Sequence, residues 1–215
     1  MSISTSPDRR QRRHQETATE VVAVAVGVMT EAGAAGMTLG EVARRMGIRT
    51  PSLYVYFPSK AALCDEIFAR GWREVGELVS EYDGQLNASP EPLDFLRESM
   101  ATFVTWAVDH PAYSQLMFWR PVPNWEPSAD AYQPAIENLE RMTGALRKLQ
   151  SQGAIRADAD LDEATGAWTT IVSGLISQQL ANEPNIPARS GRFRALIDPL
   201  VEMFLAQYDR KAVNR

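Results

Sequence analysis

Arg49, Thr50, Ser52, Val55 and Tyr56 crowd into one short stretch between Gly47 and Pro58, and their chemistry is that of a base-edge reader. A guanidinium pairs with two acceptors on guanine, small hydroxyls donate or accept, a methyl-bearing side chain covers a thymine methyl, and a phenol donates to phosphate. Such a set works only on an element small enough to enter a groove about 12 Å wide. A second set lies in the C-terminal half: Phe103, Trp106, Tyr113, Met117, Phe118, Trp119, Trp125, Met142 and Trp168. These are large, pliable apolar side chains that few charges interrupt, which suits the wall of a cavity for a largely apolar small molecule. Other chemistries are poorly served. Cys64 is the single cysteine, His14 and His110 lack partners at ligand spacing, and no nucleophile elbow, P-loop or glycine-rich nucleotide fingerprint occurs. No metal site, cofactor or catalytic constellation is expected, and the small-molecule effector has no identity in the sequence.

The elements that would position these residues are helices. Apolar residues recur at spacings of three and four, without sustained apolar–polar alternation, so the chain reads as all-α. The spacing of Val21, Val24, Ala25 and Val28 predicts a first helix from about 13 to 32, ended by Gly33 and Gly36. Thr38 and Glu41 form a capping-box pattern ahead of Leu39, Val42, Ala43 and Met46, a second helix of about eight residues that Gly47 stops. Thr50 as N-cap and Pro51 at the first helical position open a third, short helix whose Leu53 and Phe57 face inward and which Pro58 ends. Ser59 caps a fourth helix running to about residue 81, with Cys64 on its inner stripe as a buried small hydrophobe.

Beyond the turn-rich stretch Asp83–Pro92, helices are expected at about 92–109, from Pro111 to Trp119 and through Ile136 to Leu149, the last ended by Gly153. Two long helices follow at about 162–182 and 190–208. Pro121, Pro123, Pro127 and Pro134 make residues 120–133 a loop, and Pro199 should kink or split the final helix. The resulting division is a flexible basic arm at 1–14, a helix-turn-helix domain at 15–60, a connecting helix at 61–82 and a C-terminal domain at 83–215.

Charge follows the same division. The 215-residue chain carries 22 Lys and Arg against 27 Asp and Glu, yet residues 1–60 are net positive, with Arg9, Arg10, Arg12, Arg13, Arg44, Arg45, Arg49 and Lys60. A positive head on an acidic body orients a polyanion toward one end. The longest apolar run, Val21–Met29, is far short of the roughly 20 residues a membrane span needs, and neither a signal nor a transit peptide fits, so no membrane partner and a cytoplasmic location are expected.

The stretch Thr38-Leu39-Gly40-Glu41-Val42-Ala43-Arg44-Arg45-Met46-Gly47-Ile48-Arg49-Thr50-Pro51-Ser52-Leu53-Tyr54-Val55-Tyr56-Phe57-Pro58-Ser59-Lys60 resembles the signature of the TetR family of bacterial transcriptional regulators. The resemblance covers about residues 15–70. It implies a three-helix DNA-binding domain ahead of a larger helical ligand-binding and dimerisation domain. Thr38 would contact phosphate, Thr50, Pro51, Ser52 and Tyr54 would take base-reading positions, and Tyr56, where the family often has His, would clamp phosphate together with Lys60. The last two long helices would form a four-helix bundle across a two-fold axis, with Trp168, Ile171, Leu175, Phe193, Leu200 and Phe204 at the interface. The implied function is a ligand-responsive regulator, most simply a repressor, bound as a homodimer to a palindromic operator on the nucleoid. The alternative is an apolar-ligand carrier or enzyme with a vestigial helix-turn-helix.

Overall fold

The computed structural model describes residues 7–81 and 92–208, and every regular element among them is helical. In chain order these are α1 (Pro7–Gly36), α2 (Leu39–Arg45), α3 (Thr50–Leu53), α4 (Lys60–Ser80), α5 (Pro92–Asp109) and α6 (Pro111–Ser114), which continues into a π turn at Gln115–Trp119. Then come α7 (Ala129–Ser151), α8 (Leu161–Asn182), two 3₁₀ turns at Ala188–Ser190 and Arg192–Leu196, and α9 (Ile197–Tyr208). The turn-rich stretch ahead of Pro92 lies outside the described residues.

Several expectations about the helices need correction. The segment expected as a flexible arm is helical from Pro7, because a proline at the first helical position with an acid beside it starts a helix readily. Arg49, in extended conformation, caps α3, Thr50 is its first helical residue instead of its cap, and α3 ends at Leu53 with Tyr54–Tyr56 in a turn instead of running on to Pro58. Pro134 lies inside α7, which begins at Ala129. Pro199 neither kinks nor splits a helix: the chain changes from 3₁₀ to α at Ile197, which leaves Pro199 in the first turn of α9, where its missing N–H has no intrahelical bond to lose.

Contacts divide the chain into two compact units, Met1–Gly71 with Ala112–Tyr132, and Trp72–Pro111 with Gln133–Arg215. In the first unit Val21, Val22, Ala25, Val28 and Met29 of α1 are buried with Val42, Leu53, Leu63, Ile67 and Phe68. By length and composition Arg9–Gly36 would suffice to cross a membrane, contrary to the expectation from the short apolar run, but its apolar stripe is taken up by this core. Cys64 is fully buried there, and burial pushes its thiol pKa up to about 11. The returning segment is bound in by specific contacts. Trp125 Nε1 donates to Asp65 Oδ1 at 2.9 Å, and Phe68 meets Trp125 edge-on at 6.0 Å and stacks on Tyr132 at 5.8 Å.

α1 is broken near its end by Gly33, whose φ of 74° and ψ of 161° are accessible to glycine and strained for other residues. The break leaves the Ala34 N–H without a helical acceptor, and the Gln115 side-chain carbonyl takes it at 2.8 Å.

In the second unit α5 packs on α8 and α9, burying Leu96, Met100, Val104 and Ala107 with Trp168, Val172, Ile176, Val201 and Phe204. Arg97 on α5 holds both Asp94 and Asp198, at 2.8 and 2.6 Å.

Candidate nucleic-acid interface

α2 begins with Thr38 in extended conformation, its Oγ1 accepting the Glu41 N–H at 3.2 Å, so its own hydroxyl proton remains available to an outside acceptor. Only this half of the capping box forms. The Glu41 carboxylate turns to Arg44, at 2.8 Å through each oxygen, and to Arg45 at 2.7 Å, and these three hydrogen bonds, those from Arg44 first, hold its pKa down at about 2. Arg45 also grips Glu31 at 2.6 and 2.8 Å. Two of the cations counted in the positive head are therefore matched by local carboxylates.

The turn between α2 and α3 relies on Gly47, at φ 67°, a left-handed conformation that a β-carbon would strain. Leu53, fully buried, and Phe57, at 7 % exposure, anchor α3 from beneath. With those two positions buried, Pro51 and Ser52 of α3 and Tyr54 and Val55 of the turn that follows face outward. Tyr54 is 50 % and Val55 70 % exposed.

Thr38, Thr50, Tyr54 and Lys60 come together around one groove of about 480 Å³, completed by Met37, Leu39, Gly40, Pro58 and Ser59. Four hydroxyl-bearing side chains, Ser59 included, and an ammonium on one groove form a donor-rich seat for an anionic oxygen. Lys60 also has a structural task, since its Nζ donates to the Ala35 carbonyl at 2.9 Å and so satisfies the end of α1. Ser52, Pro51 and Val55 form the exposed ridge beside the groove, and Arg49 stands exposed at the cap of α3. Tyr56 lies apart from the groove and meets the His14 ring at 4.7 Å.

The C-terminal candidates are divided between the two units. Tyr113, Met117, Phe118, Trp119 and Trp125 belong to the first unit, and Phe103, Trp106, Met142 and Trp168 to the second. Tyr113, Met117 and Trp125 are buried, Trp125 being fastened to Asp65, whereas Trp119 is 42 % exposed. Phe103 packs edge-on to Trp72 at 5.9 Å and Trp168 packs on Phe204 at 5.2 Å, while Met142 is half-buried. Trp106 edges a cleft of about 630 Å³ with Thr102, Thr105, Arg189 and Arg194. Of the residues expected at a dimer interface, Leu175 and Phe204 are buried within the chain itself, and Ile171, Phe193 and Leu200 stay half-exposed.

Two contributors escape sequence reading. Gln115 acts on Ala34 across 81 residues, and no local signal marks it. His14 meets Tyr56 far along the chain, and no local signal marks that pairing.

Residues 21–67 match the family model described as bacterial regulatory proteins, tetR family, and residues 96–204 match the tetracyclin repressor-like C-terminal domain. The HTH-type transcriptional regulator AcrR of Shigella flexneri is 30% identical over 90 residues, 42% of this chain and 41% of that protein, so the match spans about two fifths of that curated relative. Among solved structures, a Rhodococcus sp. RHA1 protein of unknown function has a TM-score of 0.74 at 14% identity, covering 90% of this chain and 95% of its own. FadR from Bacillus subtilis, in complex with stearoyl-CoA, has a TM-score of 0.68 at 14% identity, covering 87% and 97%. PfmR from Thermus thermophilus, a TetR family transcriptional regulator, has 0.67 at 19%, covering 86% and 96%. These structural likenesses carry the fold.

Proposed function

As the chain belongs to the TetR family of bacterial regulatory proteins, we propose that it is a cytoplasmic repressor that binds an inverted-repeat operator as a homodimer and leaves it when a small, largely apolar molecule binds. The observation that carries the reading is the groove of Thr38, Thr50, Tyr54 and Lys60 beside the exposed ridge of Pro51, Ser52 and Val55. Phosphate oxygens fill the groove, which fixes register, and the ridge enters the major groove, where Ser52 and Arg49 meet base edges and Val55 a thymine methyl. No reaction is assigned to the chain.

Residues 15–60 read DNA, and 83–215 hold the effector and the two-fold interface, apart from Ala112–Tyr132, which packs in the reading unit. The interface draws on Ile171, Phe193 and Leu200, together with Leu196 and Met203, which are 44 % and 57 % exposed. Leu175 and Phe204 support it from beneath. An effector that prefers a conformer with the reading heads wrongly spaced weakens operator binding by its differential affinity, typically about 1–3 kcal/mol. The stearoyl-CoA bound by the Bacillus subtilis neighbour makes long-chain acyl compounds the first effectors to try.

The test is selection of duplexes from a random pool by the purified full chain at low ionic strength, with Tyr54→Ala and Ser52→Ala in parallel. An inverted repeat enriched by the wild type and degraded by the variants is expected. Failure of the wild type to enrich any inverted repeat overturns the reading.

A further inference from the structure

α1 carries a basic surface at its start that lies outside both the groove and the ridge. Arg9, Arg10, Arg12, Arg13 and His14 are exposed and helical. The His14 ring sits 4.7 Å from that of Tyr56, tilted by 34°, which fastens the first turns of α1 beside the end of the reading segment. An α-helix advances about 100° and 1.5 Å per residue. Arg10, four residues before His14, therefore lies nearly on the same face and about 6 Å farther along the axis. Arg12 points to the opposite side, roughly 200° around, and so does Glu16, the nearest acid that follows, so the face of Arg10 and His14 is not neutralised along its own helix.

We propose that Arg10, held in place by the His14–Tyr56 contact, is an additional DNA contact that binds a backbone phosphate flanking each half-site. The inference rests on the operator-binding reading and extends the footprint beyond the helix-turn-helix. A guanidinium on a rigid helix loses less freedom on binding phosphate than one on a loose arm, and such a contact tightens binding to any sequence without adding base preference. His14 is a positioning residue: its ring sets where the helix lies, and its charge is not needed.

The experiment measures affinity for the selected inverted repeat and for a random duplex over a range of salt concentrations, using the full-length protein with Arg10→Gln, Arg12→Gln, His14→Ala or His14→Phe. Arg10→Gln is expected to weaken both duplexes several-fold and to flatten the salt slope by about one per half-site, so about two for a dimer. Hydroxyl-radical protection should vanish at the flanking phosphates while the central pattern stays. Arg12→Gln should leave the slope unchanged. His14→Ala should flatten it, and His14→Phe, which keeps a ring against Tyr56, should restore it. Equal flattening by Arg10→Gln and Arg12→Gln, or none by Arg10→Gln, overturns the inference, since diffuse charge or a solvated helix would then explain the cluster. A wild type that selects no duplex overturns the operator reading instead, and the two failures are thereby distinguished.

Discussion

The reading unit and the second unit use apolar and polar side chains in opposite ways, although both are helical. Around α2 and α3 the residues with chemistry face outward, anchored by a few buried ones, and Tyr54 and Val55 stay exposed over a buried Leu53. In the second unit the aromatic residues face inward, with Trp168 on Phe204 and Phe103 on Trp72, so most of that large apolar surface is spent on packing. A partner of fixed shape, such as a DNA groove, demands fixed spacing on a short element, and spacing is written in consecutive residues. A small-molecule cavity is made by residues far apart in the chain, and an aromatic residue that lines one has the same sequence signature as one that fills a core.

The largest effect falls where a returning segment ties into the reading unit. Phe68→Ala removes a fully buried ring that touches Trp125 and Tyr132, and should cost about 3–5 kcal/mol by denaturant unfolding. Hydrogen exchange in α1 and in residues 112–132 should accelerate together, with α8 little changed. Continued protection of 112–132 alone would break the comparison, because that segment would then not be part of the reading unit. Next is Gln115→Leu, which leaves the Ala34 N–H beneath Gly33 without its acceptor and should cost about 1–3 kcal/mol. Gln115→Glu, which keeps a side-chain oxygen there, should recover most of the loss. Tyr54→Ala sharpens the contrast from the other side. An exposed side chain should change stability by no more than about 0.5 kcal/mol, while operator affinity falls by about 1–3 kcal/mol in a binding titration.

The same contrast explains what was legible in the sequence. Local signals carried the ends of α4 and α5: Ser59 Oγ accepts the Ala62 N–H at 3.0 Å, and Pro92 opens α5 where the spacing predicts. They also carried the outward face of the stretch Thr50–Phe57, since its two inward residues, Leu53 and Phe57, determine the rest, although the helix itself stops at Leu53. Pro134 and Pro199 misled because a proline says only which N–H is missing; whether that breaks a helix depends on its distance from the helix start. Lys60 was legible as a cation but not as the partner of the Ala35 carbonyl, and the Gln115–Ala34 bond joins residues with nothing in common until the chain is folded.

The smallest effect concerns charge, which the composition overstated for the reading unit. Glu41 stays ionised in the folded chain down to about pH 2, because hydrogen bonds from Arg44 and then Arg45 favour its carboxylate, whereas an unfolded glutamate takes up a proton near pH 4.3. A lowered folded-state pKa means stability that is fully present above the unfolded value and lost as pH falls through the folded one, here between about pH 4.3 and about pH 2. Arg44 is largely open to solvent and Glu41 and Arg45 partly so, so the change is modest and screened by salt. Glu41→Gln should flatten the unfolding-versus-pH curve in that window and leave the neutral-pH Tm nearly unchanged. It should also free Arg44, whose side chain is 71% exposed, to attract phosphate, so affinity for random DNA should rise while preference for the operator narrows. If random-DNA affinity does not rise, the arginines of α2 lie outside the field that DNA feels, and the positive charge of the reading unit acts through Arg49, Lys60 and the start of α1.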